Sequence, residues 1–238
     1  IPRLTMSKPR LHRQQQFLDA MGIDVWLRRD LTAPLEESGE VLPNSDREAD
    51  IRAASWEALH RLVAECRACP LHTSRTKTVF GSGDAHASLL LVGEAPGAAE
   101  DAQGLPFVGP AGKLLTEMLL AIGLTREQVF IANTLKCRPP NNRDPLEDEV
   151  RQCKAFLQRQ VELIKPRLIL ALGRVAAHNI LSTRESLARL RLSVARYENT
   201  EIPVYVTYHP AYLLRSPTEK YKAWEDLKKV RHFLVSSP

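Results

Sequence analysis

The 238-residue chain has no apolar run approaching the 18 or so residues that a membrane helix needs. Residues 1–20 also lack the apolar core of a secretory leader, so a cytoplasmic setting is the expectation. Cysteine is scarce: Cys66, Cys69, Cys137 and Cys153 are the full set, and in a reducing compartment they do not make a disulfide framework. The phosphate-binding motifs are incomplete. Gly93 and Gly97 do not form the dinucleotide fingerprint. Gly112-Lys113 runs into Leu114 instead of Ser or Thr, with Phe107 where the first phosphate-loop glycine belongs. A nucleotide phosphotransferase is therefore disfavoured. No elbow serine and no cysteine–histidine pair stands at a strand end, which argues against a nucleophilic hydrolase.

What is present is an ordinary globular composition, 44% hydrophobic and 26% charged. The net charge is +5, unevenly spread: residues 1–30 carry +3 and residues 31–50 carry −5, leaving +7 on the remainder. That excess fits a polyanionic partner.

The chain reads in three parts. Residues 1–30 hold a short amphipathic stretch from 13 to 30, a candidate partner-docking helix. Residues 31–50 are acidic, contain Pro34, Gly39 and Pro43, and read as a flexible linker. Residues 51–238 read as one α/β domain. Apolar runs at 88–93, 129–132, 167–173 and 202–207 alternate with helical patterns at 53–65, 109–122, 146–164, 174–181 and 218–233. Such alternation predicts a three-layer α/β/α sandwich around a parallel sheet.

Three of the four predicted strands end on polar residues: Glu94, Asn133 and His209. In open α/β sheets ligands bind at the carboxyl ends of the strands. There Phe107 can stack on a ring, Asn133 can offer a donor and an acceptor to a base edge, and His209 can donate to a developing oxyanion. A carboxylate such as Glu94 or Glu100 can orient water or stabilise a cationic sugar. That set suits cleavage of an N-glycosidic bond to a planar heterocycle taken out of a duplex. Alone, each residue has a plainer explanation, such as helix caps for Glu94 and Asp101 or core packing for Phe107 and Leu213-Leu214. Their order along the chain favours the functional one.

Cys66-x-x-Cys69 is a chelating pair, and a four-thiolate site with Cys137 and Cys153 suits zinc or an iron–sulfur cluster. Fifteen residues separate Cys137 from Cys153, whereas zinc usually takes two short knuckles, so the spacing leans toward iron–sulfur. A thioredoxin-like pair is the other reading of the motif, but Cys66 precedes the first core strand.

Several motifs together resemble the iron–sulfur family 4 uracil-DNA glycosylases. They are Gly93-Glu94-Ala95-Pro96-Gly97-x-x-Glu100-Asp101, Gly104-x-Pro106-Phe107-Val108-Gly109-x-Ala111-Gly112, Asn133-x-x-Lys136-Cys137-Arg138-Pro139-Pro140-x-Asn142-Arg143 and His209-Pro210-Ala211-Tyr212-Leu213-Leu214-Arg215. The resemblance runs from about Cys66 to Phe233 and implies that fold, with a [4Fe-4S] cluster on Cys66, Cys69, Cys137 and Cys153. It implies that Glu94, Ala95, Pro96 and Glu100 line the uracil pocket and its water, with Asn142 near the attacking water. It further implies that Phe107 stacks on the base, Asn133 reads it and His209 stabilises the uracil oxyanion. By the same resemblance Arg138 and Arg143 are expected to face phosphate, and Leu213, Leu214 and Arg215 to lie on a loop that enters the minor groove. The expected partner is uracil-containing DNA.

Gln15 to Arg29 is similar to the opening of the bacterial clamp-loader psi subunit. This implies a tether to the clamp-loader complex. It also raises an alternative, a replisome-associated protein on a glycosylase fold with reduced or no catalysis. A DNA-binding protein that traps its product through a histidine in an inserted basic loop is a third class, but no such histidine follows Arg138.

Overall fold

The computed structural model describes residues 44–236. The candidate docking helix within 1–30 and residues 31–43 of the expected linker lie outside the described residues.

Four apolar runs become the central strands β2 (Leu89–Gly93), β3 (Phe130–Asn133), β4 (Leu168–Leu172) and β6 (Pro203–Thr207). They pair in parallel in the order β3-β2-β4-β6. Two strands of two residues each, β1 (Ser82–Gly83) and β5 (Ala195–Arg196), add antiparallel pairs at the edges. The sheet is therefore mixed at its edges around the parallel centre that the alternation predicts. Two-residue strands carry no hydrophobic period to betray them.

The centre of the sheet is buried on both faces, as helical crossovers require. On β2, Leu90 and Val92 face one core and Leu89 and Leu91 face the other. Each buried leucine contributes about 1.5–3 kcal/mol through removal from water. The first core is closed by α1 (Asn44–Ala53), α2 (Trp56–Ala64), α5 (Glu147–Ile164) and α6 (Arg174–Leu181). The second is closed by α4 (Pro110–Ala121), α8 (Pro210–Arg215) and α9 (Lys220–Ser236). Short helices α3 (Ala98–Gln103) and α7 (Leu187–Leu190) complete the set among the described residues. This is the α/β/α sandwich expected from the alternation.

Two boundaries differ from expectation. Residues 44–50, assigned to the end of the linker, belong to α1, where Ile51 is buried and the Arg47 guanidinium lies 4.9 Å from the Phe156 ring centre. The helix expected over 53–65 begins instead at Trp56, because Ser55 caps it: its hydroxyl accepts from the Ala58 N–H at 3.3 Å.

Candidate active site

The parallel strands put their carboxyl ends on one rim, with Gly93 paired to Asn133 and Leu172 to Thr207. A cavity of about 450 Å³ opens there, lined by Glu94, Ala95, Pro96, Glu100, Phe107, Asn133, Asn142, His209 and Arg215 among others. Every residue expected at the base and water positions is thus brought together.

Close approach depends on two glycines. A Cβ on Gly93 would lie 2.4 Å from Asn133 Oδ1 and 2.7 Å from Phe107 Cζ, so a side chain there would displace both. Gly173, at the end of β4, has φ +91° and would place a Cβ 2.8 Å from that of His209.

Phe107 is buried and sits at φ 52°, a conformation that costs an aromatic residue about 1–3 kcal/mol. Glu100 holds the turn: its Oε1 accepts from the Val108 and Gly109 N–H groups at 2.9 and 3.0 Å. Glu100, a candidate with Glu94 for the water, thus also holds the Phe107 turn. Asp101 is a structural anchor, accepting from the Thr76 and Lys77 N–H groups.

Glu94 has a different environment. Burial, with the nearby negative charge of Asp144, raises its pKa to about 7 against the opposing pull of Arg174. The chain around it is pinned by Thr134 Oγ1 and the Leu135 N–H, which donate to its carbonyl at 2.6 and 3.1 Å.

His209 moves the other way. Burial and Arg215 push it down to about 4, with Glu100 opposing, so the ring is neutral at pH 7. Its Nδ1 accepts from the Ala211 N–H at 3.1 Å, which assigns the single proton to Nε2. His209 is a neutral donor, its ring centre 5.6 Å from that of Phe107. Asn133 Oδ1 is buried with no hydrogen-bond partner, leaving an acceptor whose isolation costs about 1–3 kcal/mol.

The residues expected against DNA divide. Leu213 is 1% exposed and packed into the second core, so it cannot enter a groove; Leu214, beside it, is 44% exposed. Adjacent residues on a helix point about 100° apart, which lets Leu213 face the core while Leu214 faces outward. Arg143 makes a two-pronged pair with Glu149 at 2.5 and 2.9 Å, which a phosphate would have to displace. Arg138 Nε donates to Asn142 Oδ1 at 2.8 Å, so that oxygen is already engaged. Residues missed from sequence also line the cavity: Asp144, and Tyr212, stacked 5.1 Å from Tyr208. Asp144 lies in the Asn-Arg-rich loop, but its effect on Glu94 acts through space and leaves no local signal.

All four cysteines line a second, small cavity with Arg75 and Lys136. Arg75 Nη1 donates to Cys137 Sγ at 3.1 Å, the Lys136 N–H to Cys153 Sγ at 3.3 Å and Arg47 Nη2 to Cys66 Sγ at 3.5 Å. Burial pushes the Cys69 and Cys137 thiols up, and Cys153 to about 12. Thiolates there need a positive centre to hold them. Among the described residues, no three His, Cys, Asp or Glu side chains close on a point as a single-ion site does. The donor set fits a group carried by four thiolates.

A cavity at the carboxyl ends of the parallel strands is where open α/β sheets bind ligands. Residues 80–228 match the family model described as the uracil DNA glycosylase superfamily. The chain is 45% identical over 189 residues to the type-4 uracil-DNA glycosylase of Sulfurisphaera tokodaii, covering 76% of this chain and 86% of that one. It is 45% identical over 182 residues to the type-4 uracil-DNA glycosylase of Archaeoglobus fulgidus, covering 74% and 92%. The chain belongs to the type-4 uracil-DNA glycosylases.

Proposed function

We propose that this protein takes uracil out of DNA by hydrolysing its N-glycosidic bond, the first step of base excision repair. The observation that carries the reading is the unpartnered Asn133 Oδ1 beside Phe107 and a neutral His209. Uracil presents an N3–H donor, which such an oxygen accepts, whereas cytosine presents an unprotonated N3.

In this reading the base leaves the duplex stack, at a cost of about a few kcal/mol, and lies on Phe107 with its pairing edge at Asn133. As the bond to C1′ breaks, electrons move onto the base and negative charge grows at O2. The Nε2–H of His209 donates there, and a neutral donor serves because it keeps its proton while the charge develops. Such a donor is worth about 10²–10³ in rate. Water attacks C1′ and Glu94, as carboxylate, takes its proton. Glu100 keeps Phe107 in place. Leu214 is the wedge that fills the vacated stack, and Arg138 and Arg215 are candidates for phosphate.

Cys66, Cys69, Cys137 and Cys153 would hold a [4Fe-4S] cluster, which supplies a structural clamp between the Cys66–Cys69 segment and the loop bearing Asn142. The test of function is incubation with a uracil-containing oligonucleotide followed by alkali. Scission at uracil is expected, and an intact strand would overturn the reading.

A further inference from the structure

Lys136 is the one lysine that is fully buried among the described residues, at 1% exposure, and the chemistry above leaves it without a task. Its Nζ donates to the main-chain carbonyl of Asn133 at 2.9 Å and to Gln160 Oε1 at 2.7 Å. Gln160, wholly buried on α5, is itself fixed by donating from Nε2 to the Phe80 carbonyl at 2.9 Å. The Lys136 N–H donates to Cys153 Sγ, and its carbonyl accepts from the Val79 N–H at 2.8 Å.

One residue therefore touches both the cysteine site, through its main chain, and the base-reading strand end, through its side chain. Burying an ammonium is costly unless its donors are used, and a well-packed apolar residue would fill the same space more cheaply. Both acceptors it meets are fixed points: the peptide that carries the Asn133 carboxamide, and the helix that carries Cys153. We infer that Lys136 is a positioning residue, which sets the orientation of Asn133 by locking its peptide to α5 and to the cysteine site. The inference rests on Asn133 being the residue that reads uracil.

The test uses the cluster-bearing full chain and free uracil as a competitive inhibitor, so that base binding is read apart from bond cleavage. Lys136→Met keeps the length of the side chain and removes its donors. Iron content and the visible spectrum should match wild type, while the inhibition constant for uracil rises on the order of tenfold, the loss expected for a charged hydrogen bond. Lys136→Arg, which retains donors, should recover part of that loss. A purely structural role would lower the melting temperature and iron content but leave uracil inhibition of the folded fraction unchanged, and that result would overturn the inference. Should Lys136→Met fail to fold, the same measurement on Gln160→Met decides: unchanged uracil inhibition in cluster-bearing Gln160→Met would overturn it. Wild-type enzyme that uracil does not inhibit would overturn the base reading together with this inference. Equal inhibition of wild type and Lys136→Met would overturn this inference alone.

Discussion

Lowering the pH from 8 to 6 should slow uracil excision about tenfold, because the pKa of Glu94 near 7 leaves about 90% carboxylate at the upper pH and about 10% at the lower. The sign follows from the role: a general base works unprotonated, so activity is present above the pKa and lost as pH falls through it. An ordinary glutamate would give its inflection near 4.5 and almost no change over this range. His209 adds no inflection of its own between pH 5.5 and 9, since burial and Arg215 hold it near 4. The assay is kcat/KM for a single-stranded uracil oligonucleotide from pH 5.5 to 9, which reports the free enzyme. Two substitutions move the inflection in opposite directions. Asp144→Asn removes the charge that raises Glu94 and should shift the acid limb to lower pH. Arg174→Gln removes the opposing cation and should shift it to higher pH. Glu94→Gln should lose the limb altogether. A limb that survives in Glu94→Gln, or a wild-type profile flat from 6 to 8, would refute Glu94 as the base.

Asn133→Asp keeps the shape but sets a carboxylate against uracil O4, and kcat/KM for uracil should fall roughly 10- to 100-fold, measured against the unchanged melting temperature. Gly93→Ala should also abolish most activity while iron content stays at wild-type level, because its methyl group would meet Asn133 Oδ1 and Phe107 and neither can yield without leaving the base site. Deleting residues 1–43 should leave excision intact; excision lost with that segment would mean it belongs to the catalytic unit. Deleting on through Ala53 removes the burial of Ile51, worth about 1.5–3 kcal/mol, and should lower the melting temperature.

Much of this fold was readable because the parallel strands are apolar on both faces and stop at polar residues. The runs ending at Glu94, Asn133 and His209 named both the sheet and its functional rim. What stayed hidden had little period or acted across space. Among the described side chains of α1 only Ile51 is deeply buried, within a charged sequence, so the stretch passes for linker. The separate fates of Leu213 and Leu214 depend on how α8 rotates against α4, which a leucine pair does not reveal. The two amide bonds that Glu100 accepts leave no signal in the sequence, because the turn at positive φ that presents them exists only once Phe107 has adopted it.

The two carboxylates show how environment, and not residue type, divides the labour. Glu100 is met by two N–H donors, which commit its Oε1 to the turn at Phe107. Glu94 is desolvated beside another acid, and its pKa climbs toward the working pH of a base. The histidine is pushed the other way by burial and a neighbouring guanidinium, which keeps it a neutral donor. A base that can accept a proton near neutrality and a donor that does not ionise there are complementary, because each keeps at pH 7 the protonation state its step needs. Burial holds them in that state, and at two strand ends the close packing depends on the absence of a side chain at Gly93 and Gly173. Shape and protonation are thus set by the same few backbone positions.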